Sequence, residues 1–239
     1  MAMLWLVFLP ALLAGLIQGL TGFGSAIIMM IFLPAILPIG QGAGVATLVM
    51  AASVITLVYR YRHAIHLRRI ILPFILYASV ATWSIHLTRV WDVHRLRLML
   101  GILLVCLAIY FLWSKSAGDR KYPWPVAIGF MLISGFFNGL FGIGGPLMAL
   151  YFLSLSDSTD EYLASIETFF LFDTIYVTSV RVATGVLVAS NVPLILLGMV
   201  GATTGTIIAA HLLNHLDINH MKRGIYLFIG LSGLYYLFF

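Results

Sequence analysis

The sequence predicts an all-α integral membrane protein. Its fold class is two inverted-topology repeats, each opening with a glycine-broken helix pair (re-entrant or short) followed by three transmembrane helices. Three observations carry this. Only 9% of the 239 residues are charged and 62% are hydrophobic, whereas soluble domains carry about 25% charged residues. Uncharged runs follow one another, the first from Met1 to Tyr59 before Arg60. A glycine-rich pattern then recurs about half a chain later.

The opening run alone excludes a soluble fold. As helix it would extend roughly 88 Å at about 1.5 Å per residue, and a bilayer core is about 30 Å thick. It therefore crosses or re-enters the membrane several times. A surface-lying helix would need a charged face, which this run lacks. The net charge of +5 does not indicate nucleic-acid binding, because the basic residues sit in short clusters between apolar runs, as orientation by Lys and Arg produces. Cys106 is the only cysteine, so no intrachain disulfide forms. Met1 to Pro10 has no basic n-region and is expected to be a first helix rather than a cleaved signal.

Shifted by 120 residues, Leu13–Leu33 (LAGLIQGLTGFGSAIIMMIFL) lies over Ile133–Leu153 (ISGFFNGLFGIGGPLMALYFL). Gly15, Gly19, Gly22 and Gly24 fall on Gly135, Gly139, Gly142 and Gly144, and Gln18 falls on Asn138. Pro73 falls on Pro193; after a five-residue insertion Asp92-Val93 meets Asp217-Ile218. Shared hydrophobicity alone would not keep four glycines, an amide and a proline in register, so the chain reads as a duplication: 1–120 and 121–239, within one membrane domain.

Each unit contains four apolar runs: 2–38, 41–60, 69–87 and 96–114, then 125–156, 161–184, 190–213 and 220–239. The opening run of each is too long for one crossing and is split by glycines, which weaken helices. It therefore forms two shortened helices that return to the side they started from. Three further crossings bring the second unit in from the opposite face, which inverts it. Arg60, Arg62, Arg68, Arg69, Lys115, Arg120, Lys121, Lys222 and Arg223 collect on one side, and Arg89, Arg95, Arg97 and Arg181 on the other. The richer side is cytoplasmic, which puts both termini outside and the acidic loop Asp157–Glu161 inside.

Inverted repeats with broken helices at matching positions suggest a secondary transporter with a midplane site. A helix starting inside the membrane has unpartnered N–H groups and partial positive charge at its first turn. Starts near Gly24-Ser25 and Gly144-Gly145-Pro146 would together hold a small anion. The candidate binding residues are Gln18, Gly19, Thr21, Gly22, Gly24, Ser25, Asn138, Gly139, Gly142, Gly144 and Gly145. Gly15-x-x-x-Gly19 and Gly135-x-x-x-Gly139 also have the spacing of close helix packing, and packing is the favoured reading for those four. No strand precedes either glycine cluster, which excludes a dinucleotide fingerprint.

The paired motifs GLIQGLTGFGSAI and GFFNGLFGIGGPL, half a chain apart, resemble the TauE/SafE sulfite-exporter family of membrane permeases across essentially the whole chain. The resemblance implies a location in the cytoplasmic membrane and transport of small sulfur-containing anions such as sulfite, sulfonates or sulfoacetate. It supports Gln18 to Ser25 and Asn138 to Gly145 as the site. Gly24-Ser25-Ala26 stands where the second unit has Gly144-Gly145-Pro146, so the two halves of the site are not equivalent.

Acids inside apolar runs are costly and mark function by default. Asp173 is a candidate for proton coupling or gating and Glu167 for a structural pair; their counterparts are Ser53 and Thr47. Arg181, also a coupling or gating candidate, is expected chiefly to snorkel to the interface. The histidines make no metal-site spacing, and no cofactor is implied. Tyr and Trp residues near the run ends fit interfacial belts. Expected partners are a small anion and the lipid bilayer, with no nucleic acid and homo-oligomerisation left open. Rocking of two inverted halves would alternate access. Rival readings are a passive anion channel, a permease for small carboxylates, a membrane-embedded enzyme and a structural subunit. No paired acid/base or metal constellation supports the enzyme.

Overall fold

The computed structural model describes residues 4–113, 122–212 and 218–238. Lys115, Arg120, Lys121, His215, Asp217 and the 120/121 repeat boundary lie outside the described residues. Among the described residues there are ten α-helices and no strand: α1 (Leu9–Thr21), α2 (Ser25–Phe32), α3 (Ile39–Tyr61), α4 (Arg68–Val90), α5 (Val93–Trp113), α6 (Trp124–Phe141), α7 (Gly145–Leu155), α8 (Thr159–Ala183), α9 (Val192–Leu212) and α10 (Ile218–Phe238). The chain is an all-α integral membrane protein, and among its described residues six helices are long and apolar enough to cross a bilayer.

Both opening runs break where the glycines stand. Thr21 and Phe141 end α1 and α6, Ser25 and Gly145 start α2 and α7, and Ile39 and Thr159 start α3 and α8; each pair is 120 residues apart. At 11 residues, α7 extends roughly 16 Å, about half of a 30 Å bilayer core. The opening pairs match in length: a π-helical turn, Leu4–Phe8, runs straight into α1 and a 3-10 turn, Leu33–Ala35, follows α2, so the helical stretches equal the 18 residues of α6 and the 11 of α7.

Packing does not follow the chain. The first helix of each unit lies along the fourth helix of the other, α1 on α9 and α6 on α4, while α3 packs against α8 and α5 against α10. Small residues permit the first two contacts. A methyl on Gly15 would strike the Ala202 carbonyl and one on Gly205 the Leu12 carbonyl. A methyl on Gly135 would strike the Tyr77 carbonyl, and one on Gly139 the Ala81 carbonyl and the Ser84 hydroxyl. These are main-chain approaches that only missing side chains allow. The two halves are therefore interlocked.

Local signals set several ends. Ser158 caps α8 by accepting the Glu161 N–H at 3.2 Å, which satisfies one of the helix's free donors. Asp92 precedes α5 and accepts the Arg95 N–H at 2.8 Å; that bond holds its carboxyl below the ordinary range. The aligned prolines differ in role. Pro73 lies inside α4, while Pro193 is the second residue of α9, where a missing N–H costs nothing. Arg69 donates to Glu161 and, at 3.0 Å, to the Leu155 carbonyl. The basic α3–α4 connection and the acidic α7–α8 connection thus share one face.

One expectation is overturned. Arg181 does not snorkel and is not an interfacial charge, because its side chain is wholly buried. Its guanidinium donates to the carbonyls of Asn138 (2.8 Å), Gly139 (3.1 Å) and Gly40 (3.4 Å). Carbonyls at the end of α6 and in the first turn of α3 give the guanidinium the partners that an apolar interior otherwise denies a charge, and so hold it inside.

Candidate functional site

The two breaks share one construction. Gly22 ends α1 with φ 76°, and its N–H donates to the Gln18 carbonyl at 2.8 Å. Gly142 ends α6 with φ 71°, donating to the Asn138 carbonyl at 2.7 Å. This left-handed close is glycine's, because a Cβ is strained there. Each helix restarts three residues later, at Ser25 and Gly145, and Pro146 sits in the first turn of α7. The amide side chain thus stands one turn before each break, and the first N–H groups of a new helix follow it.

Both breaks meet at one small buried cavity. Asn138, Gly142, Ile143, Gly145 and Pro146 line it from the second break and Gly24, Ala26 and Ile27 from the first, with Met50 of α3 and Phe170 and Asp173 of α8 completing it. Its volume is about 10 Å³, room for about one water. Four of the eleven sequence candidates, Gly24, Asn138, Gly142 and Gly145, therefore line a common space. Asp173 joins them, and Asn138 donates its amide N–H to the Asp173 carboxylate at 3.0 Å.

The remaining candidates lie around this space. Gln18 donates to Glu167 at 2.9 Å and to the Gly22 carbonyl at 3.2 Å, and it accepts the Ser25 hydroxyl at 3.0 Å. Thr21 donates to the Ile17 and Phe23 carbonyls, and its own carbonyl accepts the Tyr162 hydroxyl at 3.0 Å. Gln18, Thr21, Gly22 and Ser25 thus bind the first break to itself and to α8. Gly19 and Gly139 face α9 and α4 at the close-packed crossings, and Gly144 lies under the Tyr77 hydroxyl. The first break is closed by its own side chains; the second presents Asn138 and the start of α7 to the cavity.

Helix α8 supplies the charge. Glu167, Asp173 and Arg181 are all buried, Glu167 against Gln18 and Asp173 against Asn138. One helix thus places an acid on the amide of each break. The alignment of the two halves could not forecast this, because Thr47 and Ser53 occupy the corresponding places in α3. Tyr77 escaped the sequence reading too. It is fully buried in α4, with its ring edge-on to Phe169 at 4.8 Å. Its only signal was a hydroxyl in the middle of an apolar run. Among the described residues no three His, Cys, Asp or Glu side chains gather as metal ligands.

Residues 7–236 match the family model of the sulfite exporter TauE/SafE. The chain belongs to the TauE/SafE family. Nearly the whole bundle, including both breaks and the cavity between them, falls inside the match. No curated protein and no solved structure matches the chain. In this TauE/SafE chain a polar break thus lies inside an apolar bundle, beside helix starts that carry partial positive charge.

Proposed function

We propose that this protein is a secondary transporter, acting chiefly as an exporter, for a small oxidised-sulfur anion held between the two helix breaks. The single observation that carries the reading is that two breaks 120 residues apart line one cavity. At the second break the anion would lie against the first turn of α7, whose free N–H groups and dipole favour negative charge. Asn138 is the side-chain donor beside it, oriented by Asp173. Gly142 and Gly145 leave the main chain open to close approach.

The reading uses the inverted-repeat arrangement, with termini outside in a bacterial-type cell membrane. The alignment, the matching break positions and the basic clusters support it. The cavity is smaller than sulfite, so access requires an opened state on each side in turn, which favours a carrier over a standing pore. An inside-negative potential of 100 mV helps expel each negative charge by about 2.3 kcal/mol, so export needs no obligatory coupling ion. Asp173 is the titratable group through which protons would enter the cycle.

Purified protein in sulfite-loaded liposomes tests this. Efflux should follow an imposed potential, persist without a proton gradient and show counterflow. Asn138→Ala should lower the rate at least tenfold with the protein still folded. Efflux that requires a proton gradient would overturn potential-driven export. Conductance without counterflow would make the protein a channel.

A further inference from the structure

Tyr77 is a buried polar group that the site described above leaves unused. Its side chain is fully buried in α4, and its hydroxyl makes no hydrogen bond of ordinary geometry among the described residues. A buried donor left idle costs stability, so this hydroxyl calls for an explanation. The hydroxyls of Ser134, Thr168, Thr174 and Thr178 are unpartnered as well. Each of those can rotate onto a carbonyl one turn earlier in its own helix. A phenol reaches too far from its main chain to do so, and Phe169 holds this ring edge-on with centroids 4.8 Å apart.

The hydroxyl stands at the second break. The cavity wall takes in Gly142, Ile143, Gly145 and Pro146. Gly144, between them, lies under the phenol, where an added methyl would strike the hydroxyl oxygen and two ring carbons. Asp173, on the cavity wall, adjoins the hydroxyl and also holds the Asn138 amide at 3.0 Å. The phenol, the Asn138 amide and the first turn of α7 thus converge on one break from three helices. The first break has no such donor. Leu197 stands in the aligned place of Tyr77, and a methyl on Gly24 would meet only the Ile17 side chain.

We propose that Tyr77 is the third donor of the anion site and sets its preference for anions with three oxygens on one atom. This rests on the site proposed above and adds a residue that selects its ligand. The cavity must enlarge to hold sulfite, and Gly144 has no side chain to separate the enlarged space from the phenol. Sulfite presents three oxygens, and the N–H groups of α7, the Asn138 amide and the Tyr77 hydroxyl take one each. A carboxylate has two oxygens and leaves the phenol idle.

Tyr77→Phe removes one oxygen and keeps the ring. Titration calorimetry with sulfite and formate on the purified wild type, Tyr77→Phe and Asn138→Ala tests the proposal, together with thermal unfolding in the absence of anion. In Tyr77→Phe sulfite affinity should fall about tenfold or more, as for a hydrogen bond to a charged acceptor, and formate affinity should stay within about threefold. The anion-free variant should unfold at the wild-type temperature or above it, because the lost hydroxyl had no partner. A lower unfolding temperature would show the hydroxyl already engaged by Asp173 or a water and overturn the idle donor. Equal losses for the two anions would overturn the three-oxygen match. Unchanged sulfite affinity in Tyr77→Phe, beside a loss in Asn138→Ala, would remove Tyr77 from the site and leave the site standing. No sulfite binding to the wild type would overturn the site itself.

Discussion

Gln18 and Asn138 occupy corresponding places and do different work. Gln18 ties the ends of its own break together and satisfies the buried Glu167. Asn138 shares one bond with Asp173 and faces the cavity. Gln18→Ala should therefore cost about 1–3 kcal/mol of stability, because an acid is left buried without its partner, and leave transport per folded molecule within about threefold. Thermal unfolding followed by size exclusion, together with efflux, separates the two effects. Asn138→Ala should show the reverse pattern. Arg181→Met removes the charge-assisted bonds that hold the α6 carbonyls and should lower stability by about 3 kcal/mol or more. Full stability in that variant would show that water, rather than Arg181, satisfies those carbonyls. The sequence made the two amides legible because they recur in register. It hid Arg181, since a cation two turns from an acid fits the interface and the interior equally well until the carbonyls of the break are placed in space.

At the scale of elements, the glycine clusters were read for two effects, packing and breakage, and both are present at separate positions. Gly15 and Gly135 touch the main chain of α9 and α4, whereas Gly22 and Gly142 end helices with left-handed backbones. Gly135→Ala should disrupt the α4–α6 crossing, since the added methyl would meet the Tyr77 carbonyl and the backbone has no rotamer by which to yield. Gly129, one turn and a half earlier in α6, has open space around it, so Gly129→Ala should be neutral or stabilise by up to about 1 kcal/mol. The yield of folded protein in mild detergent distinguishes them, and equal yields would refute the packing role. Run boundaries were legible to within a few residues because apolar stretches end at charges and prolines. The partners of each run were not, because every lipid-facing or buried surface is written in the same few apolar residues.

Across the whole molecule, cross-repeat packing limits how access can alternate. Main-chain contacts weld α1 to α9 and α4 to α6, so the halves of the sequence are poor candidates for separate rigid bodies. The looser boundary runs between the α5–α10 pair and the rest, where a space of about 230 Å³ lies between α5 and the α6–α7 break and a smaller one of about 20 Å³ lies at Phe23 and Phe111. Joining Phe23→Cys to Phe111→Cys by a short linker, in a Cys106→Ala background, should slow transport more than tenfold and reversibly. Unchanged transport would place the moving boundary elsewhere. The aligned motifs read as two equivalent units, but only three dimensions show that both breaks line one cavity while Gln18 is engaged within the first break and Asn138 faces the shared space. Sulfite titration calorimetry on the wild type, Gln18→Ala and Asn138→Ala tests the shared site most directly: one anion should bind per chain, with Asn138→Ala at least tenfold weaker and Gln18→Ala close to the wild type, whereas undiminished binding in Asn138→Ala would contradict a site at the second break.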